Sequence, residues 1–150
     1  MHVIMWYSPN MHKKPKIIAI VGPTASGKTA LSIELAKRFN GEVISADSRQ
    51  VYRGLDIGSG KVTLSEMDGI PHHLLDIVDP KDQTYTAADF VLDAKVATSD
   101  IISRGKVPII AGGTFFYLDL LRGKMQTAAV ERDLALEAEL DKLTTEELIA

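Results

Sequence analysis

Eight consecutive residues, Gly22-Pro23-Thr24-Ala25-Ser26-Gly27-Lys28-Thr29, fit the pattern G-x-x-x-x-G-K-[ST] in full. Glycines let such a loop curl until successive backbone N–H groups point at phosphate oxygens. A helix starting there adds about half a positive charge at its N-terminus. Lys28 supplies a mobile cation for a terminal phosphate, and the Thr29 hydroxyl can ligate Mg2+. The pattern leaves open whether the ligand is a nucleotide or another diphosphate.

A second group of candidates follows an apolar stretch. Glu42-Val43-Ile44-Ser45-Ala46 runs into Asp47-Ser48-Arg49-Gln50. In open α/β sheets, ligands bind beyond the carboxyl ends of the strands. Asp47 follows such an end directly, so it is expected in the same crevice as the phosphate loop. A carboxylate there could be a general base, an acceptor reading a nucleobase or an Mg2+ ligand. It could equally cap the following turn. Ala111-Gly112-Gly113-Thr114 ends another apolar stretch. Paired glycines permit close approach by a ligand or another backbone. Thr114 either caps the next helix or points a hydroxyl into the crevice.

Other polar residues carry less. His72 and His73 are adjacent, so on a strand their rings face opposite ways, which favours packing over a metal pair. Asp76 and Asp79 read as strand-end caps, with an Mg2+ ligand as the alternative. Lys61 reads as a solvated lysine, with a cation near the loop as the alternative. Tyr52 and Tyr85 read as half-buried packing rather than as a platform for a base.

Strands and helices must position these groups. Ile17–Val21 is apolar on both faces and β-branched, as a buried parallel strand is. Lys28–Phe39 has a broad apolar helical face, stopped by Asn40-Gly41. Glu42–Ala46 is a second strand, followed by a loop with glycines at 54, 58, 60 and 69. His73–Val78 reads as a third strand and Val107–Ala111 as a fourth. Between them, apolar residues from Ala87 to Ile101 fall at helical spacing, and Phe116 to Leu121 continues as helix. This alternation argues for an α/β fold built on a parallel sheet with flanking helices.

Residues 1–15 are expected to be a loose arm, 16–122 the core and 123–150 the start of a helical insert. In that last part Val130–Leu143 is an acidic helical pattern, solvated on its charged face. Thr144-Thr145-Glu146-Glu147 is a capping box announcing another helix, and the sequence stops at Ala150. The chain is therefore expected to be a piece of a longer protein.

Composition limits the classes of function. Apolar residues make up 45% and charged residues 25% of 150 positions, ordinary globular values that exclude disorder, collagen and a pure coiled coil. With no cysteine, thiol catalysis and Cys-ligated metal sites are excluded. No apolar run approaches the roughly 20 residues of a membrane span, so a cytoplasmic location with no membrane partner is the expectation. Residues 1–122 carry 14 basic and 13 acidic side chains, and 123–150 carry 3 and 7. A strongly basic footprint is absent, so any contact with nucleic acid must be local.

Four segments, GPTASGKT, ISADSRQVYRGLDIGSGK, GIPHHLLDI and IIAGGTFFYLDLL, together resemble the tRNA dimethylallyltransferase (isopentenyl-tRNA transferase) family. The resemblance runs from about Lys16 to Leu121, in that family's order and spacing, and DSRQVYRGLDIGSGK beside PHHLLD is its most specific part. It implies a P-loop NTPase-like core that moves a dimethylallyl group from its diphosphate to N6 of an adenosine beside the anticodon of tRNA. Gly22 to Thr29 would hold the diphosphate with Mg2+. Lys28 would stabilise the leaving group. Asp47 would act as general base. Ser48, Arg49 and Gln50 would seat the flipped base. Thr114 would contact tRNA near the reacting end. The partners implied are the tRNA anticodon loop and dimethylallyl diphosphate, with a monomer favoured. Family members run to about twice this length, and Phe115 and Glu137 depart from the family's usual residues. A small-molecule ATP kinase and a non-catalytic phosphate-binding domain are the alternatives left open.

Overall fold

The computed structural model describes residues 2–7, 16–81, 85–113, 115–121, 123–124 and 134–149. Its centre is a five-stranded sheet of β1 (His2–Tyr7), β2 (Lys16–Val21), β3 (Gly41–Ser45), β4 (His72–His73) and β5 (Val107–Gly112). The spatial order is β1-β2-β5-β3-β4. β2, β5, β3 and β4 run parallel, as the alternating sequence pattern predicts. β1 pairs antiparallel with the outer edge of β2, from His2 opposite Val21 to Tyr7 opposite Lys16. The expectation of a loose arm is thus corrected over residues 2–7. The run Val3-Ile4-Met5-Trp6-Tyr7 is strand-forming, and it pairs the edge that β2 would otherwise leave open.

Both faces of the sheet are covered. On one side lies α1 (Lys28–Phe39), and on the other lie α3 (Ala87–Ser103) and α4 (Phe115–Leu121). Alternation along each strand assigns the side chains. Ile18 and Ile20 of β2, Val43 and Ile109 pack with Ala36 of α1. Ile17, Ala19, Val21, Ile44 and Ile110 pack with Phe90, Ala94 and Ile101 of α3. Phe90 stacks on Tyr117 of α4 with ring centroids 4.3 Å apart, which fastens the two helices together. Three short helices complete the chain: α2 (Leu64–Met67), α5 (Leu134–Leu140) and α6 (Thr145–Ile149). The capping box before α6 forms as read, with Thr144 N–H donating to Glu147 at 2.9 Å.

The third strand is shorter than the sequence suggests. β4 ends at His73 because Leu74 and Asp76 adopt left-handed backbone, with φ of 62° and 54°. The chain then returns to the turn after β3. There Ile77 N–H donates to the Val51 carbonyl at 2.9 Å, and Tyr52 bridges to Val78.

The two ends of β3 are held in different ways. At the carboxyl end, a Cβ on Gly112 would lie 2.1 Å from the Ala46 carbonyl oxygen, so the two backbones meet where no side chain fits. Of the alternatives for this glycine pair, close approach by another backbone is the one observed. At the amino end, Glu42 is 1% exposed inside the sheet. Arg104 grips both of its carboxylate oxygens, Lys106 Nζ donates to Oε1 at 2.7 Å and His73 Nε2 lies 2.7 Å from Oε2. The Arg104 hydrogen bonds hold the Glu42 carboxyl far below the usual carboxylate range. They outweigh its burial, and Lys106 and His73 add to them.

Because the folded value lies below the ordinary 4.5, Glu42 contributes its full stability above that pH and loses it as pH falls toward the lowered value. Acid unfolding followed by circular dichroism should therefore steepen below pH 4.5 in the unsubstituted chain and flatten in Glu42→Gln. At neutral pH Glu42→Gln should cost about 3 kcal/mol in urea unfolding, the low end for a broken buried pair because Arg104 and Lys106 can turn to water. Gly112→Ala should cost about 2 kcal/mol in the same measurement, through the forced separation of β5 from β3.

Candidate functional site

The phosphate loop joins β2 to α1. Its shape depends on Ala25 and Gly27, whose φ values of 61° and 79° are both left-handed. Gly27 is the N-cap of α1 and provides no side-chain cap, whereas α3 begins with a complete Thr86–Asp89 capping box. The first N–H groups of α1 are therefore left to a ligand or to water. Lys28 is half-buried, and its Nζ donates to the Pro23 carbonyl at 2.6 Å, so the ammonium lies across its own loop. The Ser26 hydroxyl is buried with no hydrogen-bond partner among the described residues. Thr29 is exposed, and its carbonyl accepts from Ser32 Oγ at 2.7 Å.

Asp47 stands just past the carboxyl end of β3. Its Oδ1 accepts from Arg49 N–H at 2.9 Å and Gln50 N–H at 3.3 Å. This is the capping role that the sequence left open. It consumes one oxygen and leaves Oδ2 with no hydrogen-bond partner among the described residues. Capping and chemistry are compatible here, since the cap orients the carboxylate.

A cleft of about 570 Å3 brings these parts together. Gly22, Pro23 and Thr24 line it from the phosphate loop, and Asp47, Ser48 and Arg49 from the end of β3. Gly58 and Ser59 contribute from the following loop, and Gly113 from the end of β5. The backbone contact at Gly112 is what draws these strand ends close. A Cβ on Gly113 would lie 3.8 Å from the Gly22 carbonyl oxygen, so the third strand end also belongs to this corner. Ala25, Ser26, Gly27, Lys28 and Thr29 lie outside the cleft lining, further along the loop. Thr114 lies outside the described residues.

Two polar residues differ from the sequence reading. Gln50 spends its side chain inside the protein. Its Oε1 accepts from Ser45 Oγ at 3.1 Å, and its Nε2 donates to the carbonyls of Ser59 and Gly60 at 3.3 Å. Lys61 is not solvated. Its side chain is 5% exposed, and Nζ donates to the Tyr52 carbonyl, Asp56 and Asp76. Burial pulls its pKa down, but the hydrogen bonds it donates to the two carboxylates outweigh this and raise it, so the charge is kept.

The remaining candidates are structural. Asp76 is engaged by Lys61, and Asp79 Oδ1 accepts from Lys81 N–H at 3.0 Å. Tyr52 accepts from Tyr85 N–H on its hydroxyl, and Tyr85 donates to Asp93, each at 2.9 Å. Burial, assisted by Asp93, pushes the Tyr85 phenol well above its usual range. Burial also lowers the pKa of His72, whose Nδ1 lies 2.9 Å from the Ile70 carbonyl oxygen. Among the described residues no cluster of His, Asp or Glu could hold a metal by itself. The donor chemistry fits Mg2+ shared with a ligand's phosphates, since that ion uses one or two protein oxygens and keeps several waters. The exposed Thr29 hydroxyl at the start of α1 can supply such an oxygen.

Residues 50–150 match the family model described as IPP transferase. The chain belongs to that family. A curated IPP-transferase relative, the tRNA dimethylallyltransferase of Oceanobacillus iheyensis, is 49% identical over 134 residues, covering 89% of this chain and 42% of the relative. Among solved structures, the tRNA isopentenylpyrophosphate transferase of Staphylococcus epidermidis superposes with a TM-score of 0.67 at 50% identity, over 87% of this chain and 43% of that one. A eukaryotic dimethylallyltransferase acting on tRNA gives a TM-score of 0.69 at 42% identity, over 87% of this chain and 30% of its own. The chain thus spans less than half the length of the relatives it matches. The P-loop NTPase-like architecture of the IPP transferases, a largely parallel sheet between helices, is the one found here. No described helix is long and apolar enough to cross a membrane.

Lys28 can turn from the Pro23 carbonyl to meet a phosphate at the loop. Lys28→Ala should weaken binding of inorganic diphosphate, titrated calorimetrically with Mg2+, by about tenfold or more, the equivalent of one hydrogen bond to a charged group.

Proposed function

We propose that this chain carries the catalytic centre of a cytoplasmic, monomeric tRNA prenyltransferase. It moves the dimethylallyl group of dimethylallyl diphosphate to N6 of the adenosine beside the anticodon. The observation that carries this reading is the shared cleft, in which the phosphate loop and Asp47 face one space in a member of this family.

An exocyclic adenine amine is a poor nucleophile because its lone pair is delocalised into the ring. It needs positioning and a proton acceptor. Asp47 is held through Oδ1 by two backbone N–H groups, and Oδ2 is left for the amine. The nitrogen attacks the allylic carbon, that carbon's bond to the diphosphate oxygen breaks, and the N6 proton passes to Asp47. Negative charge grows on the departing diphosphate. The loop N–H groups and Lys28, released from the Pro23 carbonyl, neutralise it. Mg2+ held by the Thr29 hydroxyl would supply further charge neutralisation on the diphosphate oxygens. Ser48 and Arg49 line the acceptor side of the cleft, where the flipped base and its neighbours would sit. Thr114 would contact tRNA beside them, and Gln50 would act on the base through the loop it ties down.

Transfer of radiolabelled dimethylallyl diphosphate to unmodified tRNA, by the gene product in its natural length, tests the reading. Asp47→Asn should lower the transfer rate by about 100-fold or more while leaving the donor Kd within about twofold, as expected for loss of a general base. An equal loss of donor binding would make Asp47 a metal or diphosphate ligand instead. Phosphate transfer from ATP to a small metabolite would establish the kinase alternative. Diphosphate binding without any transfer would establish a non-catalytic domain.

A further inference from the structure

Lysine is almost never buried unless its ammonium is paired. Lys61 meets that condition with three partners, one for each N–H it can donate. Its Nζ lies 2.8 Å from the Tyr52 carbonyl oxygen, 2.8 Å from Asp56 Oδ1 and 2.5 Å from Asp76 Oδ1. These partners belong to separate segments: the turn after β3, the glycine-rich loop and the stretch after β4. One cation therefore ties three pieces of backbone together.

The tie matters because the loop has few other holds: Arg53, at its start, donates from Nε to the Asp76 carbonyl at 2.7 Å and from its N–H to the Val78 carbonyl at 2.9 Å. Residues 53–60 include no buried residue. Val51 and Val62 anchor the two ends, at 1% and 9% exposure, but the span between them adds nothing to either apolar cluster. Beyond Arg53 its position depends on polar contacts, chiefly Lys61 and the weaker reach of Gln50 to the Ser59 and Gly60 carbonyls. Gly58 and Ser59 of this same loop line the cleft together with Asp47, Ser48 and Arg49. The phosphate loop, by contrast, is carried by β2 and α1, and among the described residues it accepts no hydrogen bond from Lys61.

We propose that Lys61 is a positioning residue for the acceptor: it holds the Gly58–Ser59 wall at the distance from Asp47 that the reacting adenosine requires. This rests on the prenyl-transfer reading. The ammonium does not touch the donor, because its three hydrogens are already committed.

The test compares Lys61→Met, Lys61→Arg and Asp56→Asn in the natural-length gene product, after circular dichroism has shown each to be folded at the assay temperature. The readouts are kcat and KM for tRNA and Kd for dimethylallyl diphosphate. Lys61→Met should lower kcat/KM for tRNA by about tenfold to 100-fold, the cost of misplacing reactants by about an ångström, with the donor Kd within about twofold. Lys61→Arg keeps the charge and should recover most of the loss, and Asp56→Asn should show a smaller fall in the same parameter. Unchanged tRNA kinetics in Lys61→Met would overturn the proposal. So would a loss of donor affinity matching that of Lys28→Ala, which would make Lys61 a diphosphate ligand. So would a loss that Lys61→Arg fails to recover. If the unsubstituted protein transfers nothing to tRNA, the prenyl-transfer reading falls and this proposal falls with it, an outcome distinct from a failure confined to the Lys61 variants.

Discussion

The site depends on one place where two backbones touch. Gly112 of β5 lies against the Ala46 carbonyl so closely that a methyl group would overlap it. Because β2, β5 and β3 are adjacent and parallel, this contact gathers their carboxyl ends into one corner. Each end then releases a different kind of chemistry. β2 opens into the phosphate loop, β3 into Asp47 and its turn, and β5 into Gly113. A side chain at position 112 would widen the corner and separate the carboxylate from the phosphate site. Geometry between two strands is enough to require the glycine.

Much of this was legible in the residues. The phosphate loop announces itself because the physical demand, N–H groups aimed at oxygens with a cation behind them, leaves few choices of residue. Asp47 could be placed because a carboxylate directly after a buried parallel strand has only one end of the sheet to occupy. Polar groups that are buried by remote partners were not legible. Glu42 looks like the polar start of a strand, and nothing nearby in sequence shows that Arg104, Lys106 and His73 converge on it. Lys61 reads as solvent-facing for the same reason, since Asp76 reaches it only after the chain has passed through α2 and β4. The early end of β4 was hidden as well. Leu74 and Asp76 take left-handed backbone, which neither residue type signals.

The polar residues of the DSRQ stretch divide by what they have left over. Gln50 is consumed on both ends of its amide. Asp47 is consumed on one oxygen. Ser48 and Arg49 are exposed at the cleft. A run of four neighbouring polar side chains thus grades from scaffold to free surface. The same grading holds at the phosphate loop, where Lys28 is parked on a carbonyl that a stronger anion can displace.

The buried carboxylate at the opposite end of β3 has a bearing on how the strands find one another. Strands of uniform Val and Ile can pair in several alignments, because each slip exchanges one branched side chain for another. Glu42 removes that freedom. Moved by one residue along β5, it would turn to the other face and leave its guanidinium and ammonium partners behind, a buried charge without a counterion. The alignment that sets Asp47 beside the phosphate loop is thereby selected at the far end of β3, by electrostatic exclusion of its neighbours. A residue remote from the cleft acts as the index mark against which Asp47 and the loop are aligned.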